Sequence, residues 1–270
     1  MLRSLFTGIS GLRAHQQMLD VTANNIANVN TAGFKSSSTI FESTLSQTLE
    51  AAGRPAAAVN GGGTNPLQIG LGVQLGATQI NTTQGISQYT GRSGDVLIDG
   101  DGFFVLSEGG QQVLSRAGSF SLDTSGRLVN PSGAIVQSAD GGDLDLSALN
   151  TGKYHSMSIG QDGVVSAVNS ETNLSEQLGT IAVATVPNPA GLEAVGSTEF
   201  IATVNSGAMV VGAPGTGNNG KLLAGYVEGS NVDLSNELTN LIIAQRGFQA
   251  NSKVVTTSDE ILQTLVNIKN

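Results

Sequence analysis

The sequence has no cysteine and no tryptophan, and only 4 % of its 270 residues are aromatic. Without cysteine the chain can form neither disulfides nor thiolate metal sites, and it is compatible with either redox compartment. A core must therefore be built mainly from aliphatic side chains, which the 39 % apolar content can supply. No apolar run approaches the roughly 18 residues of a membrane span, so we expect no membrane insertion.

Charge is scarce as well. Charged residues make up 12 % of the chain, about half the usual share, while glycine reaches 36 residues. The surface must be dominated by Ser, Thr, Asn, Gln and Gly, which is unusual for a cytosolic enzyme. The net charge of −9 argues against nucleic acid or an anionic membrane as a partner. Because the apolar residues near the N-terminus are spaced and not continuous, we expect no cleaved secretory signal.

Both ends of the chain carry the periodicity of long amphipathic helices. At the N-terminus the seam has alternating spacings of three and four, with one polar member; it consists of Leu2, Leu5, Ile9, Leu12, Gln16, Leu19, Ala23 and Ile26. At the C-terminus two adjacent stripes repeat every seven residues, one formed by Leu241, Phe248, Val255 and Leu262 and the other by Val254, Ile261 and Ile268. Asp233 or Ser235 is a suitable N-cap for this second helix.

Two arrangements would cover these apolar stripes. The helices could pair as an antiparallel hairpin within one monomer, or many copies could pack side by side and bury the stripes between them. Long amphipathic ends on a glycine-rich β body indicate a subunit that self-assembles, and the intramolecular hairpin remains the alternative.

The middle of the chain has a different sequence pattern. Residues 36–50 could form a short helix or an extended arm, and residues 51–66 have the composition of a flexible loop. From about residue 69 to residue 227, short apolar alternations separated by DG, GG, SG and NP pairs predict strands and tight turns. We predict an α+β fold with long terminal helices in a coiled-coil-like core and a mainly β middle domain. The predicted divisions are an N-terminal core helix at 1–30, a connecting arm at 31–80, a β-rich outer domain at 81–228 and a C-terminal core helix at 229–270.

One glycine-rich stretch has the spacing of a phosphate-binding loop. It reads GTGNNGK over residues 215–221, but Leu222 follows Lys221, so the hydroxyl that would hold Mg²⁺ is missing. No buried parallel strand precedes the stretch, and no helical pattern follows it. We interpret it as a surface loop.

Carboxylates and imidazoles are the remaining candidates for chemistry. The close carboxylates, Asp99 and Asp101, then Asp140, Asp143 and Asp145, do not follow the ligand spacing of an EF-hand, and Asp-Gly is common in tight turns. The two histidines, His15 and His155, have no sequence context that suggests an oriented triad. We therefore predict no catalytic, cofactor or metal site.

Four asparagines crowd the end of the first predicted helix, in the stretch ANNIANVNTAGFK. Asparagine competes for backbone hydrogen bonds, so Asn28 and Asn30 are expected to cap the helix and turn the chain. For Asn24 and Asn25, contacts between subunits are the alternative that we retain. Gly33 is expected to adopt a backbone conformation that other residues avoid, with Phe34 anchoring the turn.

With these features in view, the chain resembles the flagellar rod and hook family of axial proteins. Three blocks carry the resemblance: residues 1–35, which include ANNIANVNT and GFK; GDVLIDGDGFFVL at 94–106; and residues 230–270, which include AQRGFQANSKVVTTSDEILQTLVNIK. The opening MLRSLFTGISG and this C-terminal block look more like the hook protein, so a short hook subunit is expected, with a distal-rod subunit as the alternative.

The resemblance implies a non-enzymatic building block that is exported without a cleaved signal and assembles outside the cytoplasmic membrane. The implied partners are copies of itself in a helical tube, distal-rod and hook-filament junction proteins, the hook cap and the export apparatus. The residues expected to make subunit contacts are those of the helical stripes, namely Leu2, Leu5, Ile9, Leu12, Gln16, Leu19, Asn24, Asn25, Ile26, Leu241, Phe248, Val254, Val255, Ile261, Leu262 and Ile268. No cofactor is implied.

Overall fold

The computed structural model describes residues 2–54, 63–150 and 153–268, apart from the side chains of Leu2, Asn150 and His155. Much of the predicted loop at 51–66 and the side chain of His155 lie outside the described part. Three helices are present in that part, α1 (Leu2–Ala27), α2 (Ser147–Asn150) and α3 (Leu234–Ile268), together with a 3₁₀ turn at Pro189–Gly191. The prediction of an α+β fold with helical ends and a mainly β middle is confirmed.

Twenty strands lie between the two long helices in the described residues. They are β1 (Ser37–Ser43), β2 (Ser46–Glu50), β3 (Leu67–Gly70), β4 (Val73–Ile80), β5 (Ser87–Tyr89), β6 (Val96–Asp99), β7 (Phe103–Glu108), β8 (Gln111–Ser115), β9 (Ser121–Leu122), β10 (Leu128–Val129), β11 (Ile135–Val136), β12 (Tyr154–Ile159), β13 (Val164–Asn169), β14 (Ser175–Thr180), β15 (Val183–Thr185), β16 (Glu193–Gly196), β17 (Glu199–Ile201), β18 (Val210–Gly212), β19 (Lys221–Ala224) and β20 (Tyr226–Glu228).

The chain divides into two compact units. The first, called the helical unit here, comprises the described residues of 1–26, 37–79 and 234–270. It contains α1, α3 and two antiparallel ribbons, β1 with β4 and β2 with β3. Residues 36–50, which the sequence left open between helix and arm, are therefore extended. The second, called the β unit, comprises the described residues of 27–36 and 80–233.

The β unit is organised around a nine-stranded antiparallel sheet. Its main path has the order β16, β17, β8, β7, β11, β10, β9, and β15 pairs with both β7 and β18. A three-stranded meander of β12, β13 and β14 and two short ribbons, β19 with β6 and β20 with β5, complete the unit.

The central strand β7 is buried on both faces. Its alternate residues Phe104 and Leu106 join one apolar cluster, and Phe103 and Val105 join a second cluster. Phe104 packs edge-on against Phe120 in the first cluster, with ring centroids 5.1 Å apart. The continuous apolar run FFVL therefore belongs to a strand covered on two sides, and not to the half-exposed strand that an alternating pattern would indicate.

A buried ion cluster joins three distant segments of the β unit. Lys35 Nζ lies 2.6 Å from Glu228 Oε1, and Arg116 Nε lies 2.9 Å from Glu228 Oε2. The three side chains are at most 4 % exposed. Lys35 also donates to the carbonyl of Thr83, and Arg116 donates to those of Gly102 and Gly100. Burial lowers the pKa of Lys35 and that of Arg116, and Glu228 opposes both changes.

Gly33 lies beside this cluster and has a positive φ of 71°. Its N–H donates to the carbonyl of Glu228 over 2.8 Å. A methyl group at this position would overlap the backbone of Ala117 and lie 2.8 Å from the carbonyl carbon of Arg116. Both the left-handed conformation and the close backbone approach therefore require glycine here.

Replacing Glu228 by Gln tests the ion cluster. The variant leaves two buried cations without their carboxylate, so we expect the free energy of unfolding to fall by about 3–5 kcal/mol, measured by guanidinium denaturation. The matched control is Asp143→Asn in the exposed pair with Arg127, whose atoms lie 3.2 Å apart; it should change stability by about 1 kcal/mol or less. Equal losses in the two variants would contradict a special role for the buried cluster.

Candidate assembly surface

The two long helices pack against each other in antiparallel orientation within the helical unit. Near one end, the hydroxyls of Ser4 and Ser258 lie 3.4 Å apart. Near the other end, Asn25 Nδ2 donates to Glu237 Oε1 over 3.0 Å. The intramolecular hairpin that the sequence analysis kept as an alternative is therefore present.

Glycines allow the two helix backbones to approach closely. A methyl group on Gly11 would lie 2.7–2.8 Å from the amide atoms of Asn251, and one on Gly8 would lie 3.1 Å from Val255 Cγ2. A methyl group on Gly247 would overlap the ring of His15. Larger residues at these positions would hold the helices further apart.

The contacting seam is small and polar, and it is not the apolar stripe that the sequence suggested. Its members are Ser4, Gly8, Gly11, His15 and Asn25 on α1, and Glu237, Gly247, Asn251, Val254, Val255 and Ser258 on α3. Of these residues only Asn25, Val254 and Val255 were predicted from the sequence, because apolar periodicity does not mark small and polar contact residues. A usable signal was present, since Ser4, Gly8, Gly11 and His15 also follow spacings of four and three.

His15 is a packing residue of this seam. Its ring lies against Gly247, and its centroid is 6.0 Å from that of Phe41 in β1. Its Nδ1 atom is buried and has no hydrogen-bond partner among the described residues. These surroundings are those of a packed interface side chain, which is one of the ordinary roles for a histidine on a helix.

Asn25 fastens the start of β1 to the end of α1. Its Oδ1 accepts from the N–H of Ser37 over 3.0 Å, and its Nδ2 donates to the carbonyl of Ser37 over 2.8 Å. With the further bond to Glu237, the amide of this 1 % exposed residue is fully engaged within the chain. The expectation of a contact between subunits remains untested for Asn25, but these bonds give it an intramolecular role that the sequence analysis did not predict.

The residues after α1 turn the chain. The backbone N–H of Thr31 donates to the carbonyl of Asn28 over 3.1 Å, and its hydroxyl donates to Asn28 Oδ1 over 3.0 Å. Asn30 is exposed in the same turn, and the N–H of Phe34 donates to the carbonyl of Thr31.

Most residues predicted for subunit contacts lie outside the seam between the helices. On α1 the apolar members are half-buried (Leu5, Ile9, Leu12, Leu19 and Ile26), whereas Gln16 and Asn24 are exposed. On α3, Leu241, Val255 and Leu262 are half-buried, and Phe248, Val254, Ile261 and Ile268 are exposed. The side chain of Leu2 lies outside the described residues.

The stripe of Val254, Ile261 and Ile268 is thus exposed along one face of α3, although Val254 also lies beside Gly8 of α1. Further apolar side chains of this helix are exposed as well, namely Leu238, Ile242, Ile243, Leu265 and Val266. Neither long helix, over the residues described, has the length and continuous apolarity needed to span a bilayer. The exposed row therefore belongs to an amphipathic helix with one face unpartnered.

The ribbon of β2 and β3 also exposes apolar side chains. Leu49, Leu67 and Ile69 within the ribbon, and Leu45 and Leu71 at its ends, are exposed by 40 % to 84 %. Just after the ribbon, the hydroxyl of Ser10 on α1 accepts from the N–H of Val73, the first residue of β4, over 3.3 Å.

The stretches considered for chemistry have ordinary structural roles. Residues 215–220 form a turn that leads directly into strand β19, so the glycine-rich stretch is followed by a strand and not by the helix that a phosphate-binding loop requires. Asp143 pairs with Arg127, and Asp145 accepts from the N–H of Ser147, a bond that lowers its pKa. Asp99, Asp101 and Asp140 are exposed at turns or strand ends. Across the described ranges, no group of three or more His, Asp or Glu residues is arranged to hold a metal ion.

Replacing Gly247 by Ala tests the close contact between the helices. Alanine normally stabilises a helix by about 1 kcal/mol relative to glycine. Here it would overlap His15, so we expect a net loss of about 1–3 kcal/mol in thermal unfolding followed by circular dichroism.

The double variant His15→Ala, Gly247→Ala is the control for this loss. Removing the imidazole should recover most of the stability, because the two positions are directly coupled. A stabilised Gly247→Ala single variant would show that the helices do not meet at this position.

Comparison with known families places this architecture among flagellar proteins. Residues 5–35 match the family described as flagella basal body rod protein, residues 97–167 match the flagellar hook protein FlgE/F/G D1 domain, and residues 223–268 match the flagellar basal body rod FlgEFG protein C-terminal family. Each match overlaps one of the three blocks that carried the resemblance in the sequence, and the middle match extends well beyond residues 94–106, to residue 167.

Whole-length relatives carry the name of a rod protein. The chain is 47 % identical over 270 residues to the flagellar basal-body rod protein FlgG of Bacillus subtilis (strain 168), covering all of both chains. It is 38 % identical over 274 residues to FlgG of Borreliella burgdorferi, covering all of this chain and 99 % of the relative. The flagellar hook protein FlgE of the same Borreliella is 27 % identical over 445 aligned residues that cover both chains fully.

These identities favour the rod alternative over the hook reading drawn from the sequence. The short blocks at the two ends, on which the hook reading was based, are regions that rod and hook relatives share. From matches that run the whole length of the chain, we conclude that this protein is a structural subunit, not an enzyme, and that it belongs to the flagellar rod and hook family of axial proteins.

Proposed function

We propose that the chain is a rod subunit of the flagellar basal body, in the distal rod, that polymerises through its terminal helices into a helical tube serving as a drive shaft. The observation that supports this most directly is the exposed apolar row of α3, Val254, Ile261 and Ile268. It runs along a 35-residue helix. Ile261 and Ile268 lie beyond the contacts with α1 described above, whereas Val254, at the start of the row, also lies beside Gly8 of α1. Copies packed side by side would cover the row.

Hydrophobic burial would supply the driving force for this assembly. A Val or Ile side chain contributes about 1.5–3 kcal/mol when it moves from full exposure to full burial. The half-buried stripe of α1 and the exposed leucines of the β2–β3 ribbon add further apolar area on the same unit. Monomeric soluble proteins rarely expose large apolar patches, so the exposed apolar surface of this unit indicates a contact with another molecule.

Length supports a rod subunit over a hook subunit. FlgG of Bacillus subtilis aligns with this chain from end to end over 270 residues, whereas FlgE of Borreliella requires 445 aligned positions. The difference, 445 minus 270, leaves 175 positions of that alignment without a counterpart in this chain. We therefore do not propose the hook cap or the hook-filament junction proteins as partners.

The divisions at 1–30, 31–80, 81–228 and 229–270 translate into roles in the tube. In this proposal the helices at 1–30 and 229–270 form the inner core, residues 31–80 connect and cover it, and residues 81–228 form an outer layer. Export through the flagellar apparatus without a cleaved signal would bring the chain to its site outside the cytoplasmic membrane.

Ile261→Asp and Ile268→Asp test the assembly face. Both residues are exposed in the monomer, so the free energy of unfolding should change by about 0.5 kcal/mol or less. Polymer formation at high concentration, followed by sedimentation and negative-stain microscopy, should be lost because a carboxylate would be buried between copies.

The matched control places the same charge elsewhere on α3. Gln249→Asp lies about 140° around the helix from Val254, given about 100° per residue, and Gln249 is also exposed. It should polymerise at the wild-type concentration. Wild-type protein that remains monomeric at every concentration, or Ile261→Asp polymers that form normally, would contradict the proposed face.

A further inference from the structure

An aromatic and aliphatic patch is exposed on the β unit, remote in sequence from both helices' apolar stripes. Ile86 is 80 % exposed and Tyr89 is 71 % exposed. Tyr89 of β5 pairs with Tyr226 of β20, and their ring centroids lie 5.1 Å apart. Two of the three tyrosines of the chain are thus used in one surface stack.

The same patch has an open strand edge. The N–H of Gly229 donates to the carbonyl of Ile86 over 2.8 Å, and the N–H of Thr90 donates to that of Gly225 over 2.9 Å. Because inward and outward groups alternate along an antiparallel strand, the backbone groups of Ser87 and Tyr89 face away from β20. Within the described ranges, β5 pairs with no strand other than β20.

This edge lacks the usual protection against pairing. Exposed edge strands are commonly guarded by charged side chains or proline. Residues 81–91 contain neither, and the first charge after them is Arg92. The side chain of Arg92 is 61 % exposed, although its guanidinium lies 3.8 Å from Asp95. Tyrosine and arginine are also the residue types that concentrate in the centres of protein interfaces.

We propose that the β5 edge, with Ile86 and Tyr89 as anchors and Arg92 at its rim, is a contact site for a second copy of this chain. A second copy fits the charge of the site, because the chain has an excess of acidic residues, 21 against 12 basic ones, and Arg92 is a cation. An extended segment of the neighbour would pair with the backbone of Ser87 and Tyr89 and cover the two apolar side chains. This inference rests on the proposed assembly function and adds to it a contact made by the β unit.

The absence of cysteine permits a direct test of proximity. Ile86→Cys would carry the only thiol of the chain, which can be labelled with a benzophenone maleimide and irradiated in assembled and in dilute samples. We expect covalent dimers from the assembled sample alone. The control is Leu174→Cys between β13 and β14, where Leu174 is 66 % exposed; it should give far fewer dimers.

A second measurement tests the contribution to assembly. Ile86→Ser, Tyr89→Ser should leave the monomer folded, with a small fall in Tm from the lost stack on Tyr226. The concentration needed for polymerisation should rise about tenfold, which corresponds to about 1.4 kcal/mol. Leu174→Ser should polymerise as the wild type does.

The outcomes separate this inference from the proposed function. Wild-type polymers with no Ile86 dimers, and unaltered assembly of the double variant, would overturn the β5 contact and leave the rod proposal standing. A cross-link within a single chain would replace the second copy by an intramolecular occupant, which also overturns the inference. A wild-type chain that never polymerises would remove both proposals.

Discussion

The close approach of α1 and α3 is the constraint on which the helical unit depends. Gly8, Gly11 and Gly247 bring the two backbones together, and short polar side chains fill what space remains. Such a seam buries little apolar area, so the long side chains of both helices must project to its flanks or to the outer face. A conventional leucine seam would have hidden these side chains inside the hairpin and left little to attract another copy. The small residues at the seam thus leave the larger apolar side chains of both helices available for contact with another copy.

The asparagine-rich stretch after position 23 serves the transition out of this helix pair. Asn25 uses both ends of its amide on the backbone of Ser37, in the manner of a paired strand. Asn28 holds the turn that follows, and Gly33 allows the chain to pass closely over the backbone of Ala117. Lys35 then binds Glu228, which lies six residues before α3 begins. The segment that leaves α1 and the segment that enters α3 are therefore fixed to each other through charges inside the β unit.

Periodicity and turn chemistry were sufficient to predict the fold class, since long amphipathic ends and short strands separated by Asp-Gly and Gly-Gly pairs have distinct patterns. They could not predict which stripe of a helix contacts its neighbour. Apolar residues such as Ile261 are equally compatible with an intramolecular seam and with an outer face. A glycine in a helical pattern is normally interpreted as a weak helix former, and the sequence alone does not show that it contacts another helix. The ion cluster was also out of reach, because Lys35, Arg116 and Glu228 are brought together only by the tertiary fold. The open edge of β5 depends likewise on which strands become neighbours.

The scarcity of charge gives these surfaces a common energetic character. The exposed row on α3 and the patch around Tyr89 are apolar or aromatic, and the exposed arginine near the latter, Arg92, has Asp95 beside it. Contacts of this kind gain free energy from the removal of apolar area from water, which salt does not screen. The net charge of −9 acts in the opposite direction, because identical copies repel one another at long range. Added salt weakens that repulsion but does not weaken the hydrophobic burial, so higher ionic strength favours the association of this chain with itself. A polymer held by ion pairs would instead be weakened by added salt. The opposite response expected here follows from the apolar character of the exposed faces and from the net negative charge of the chain.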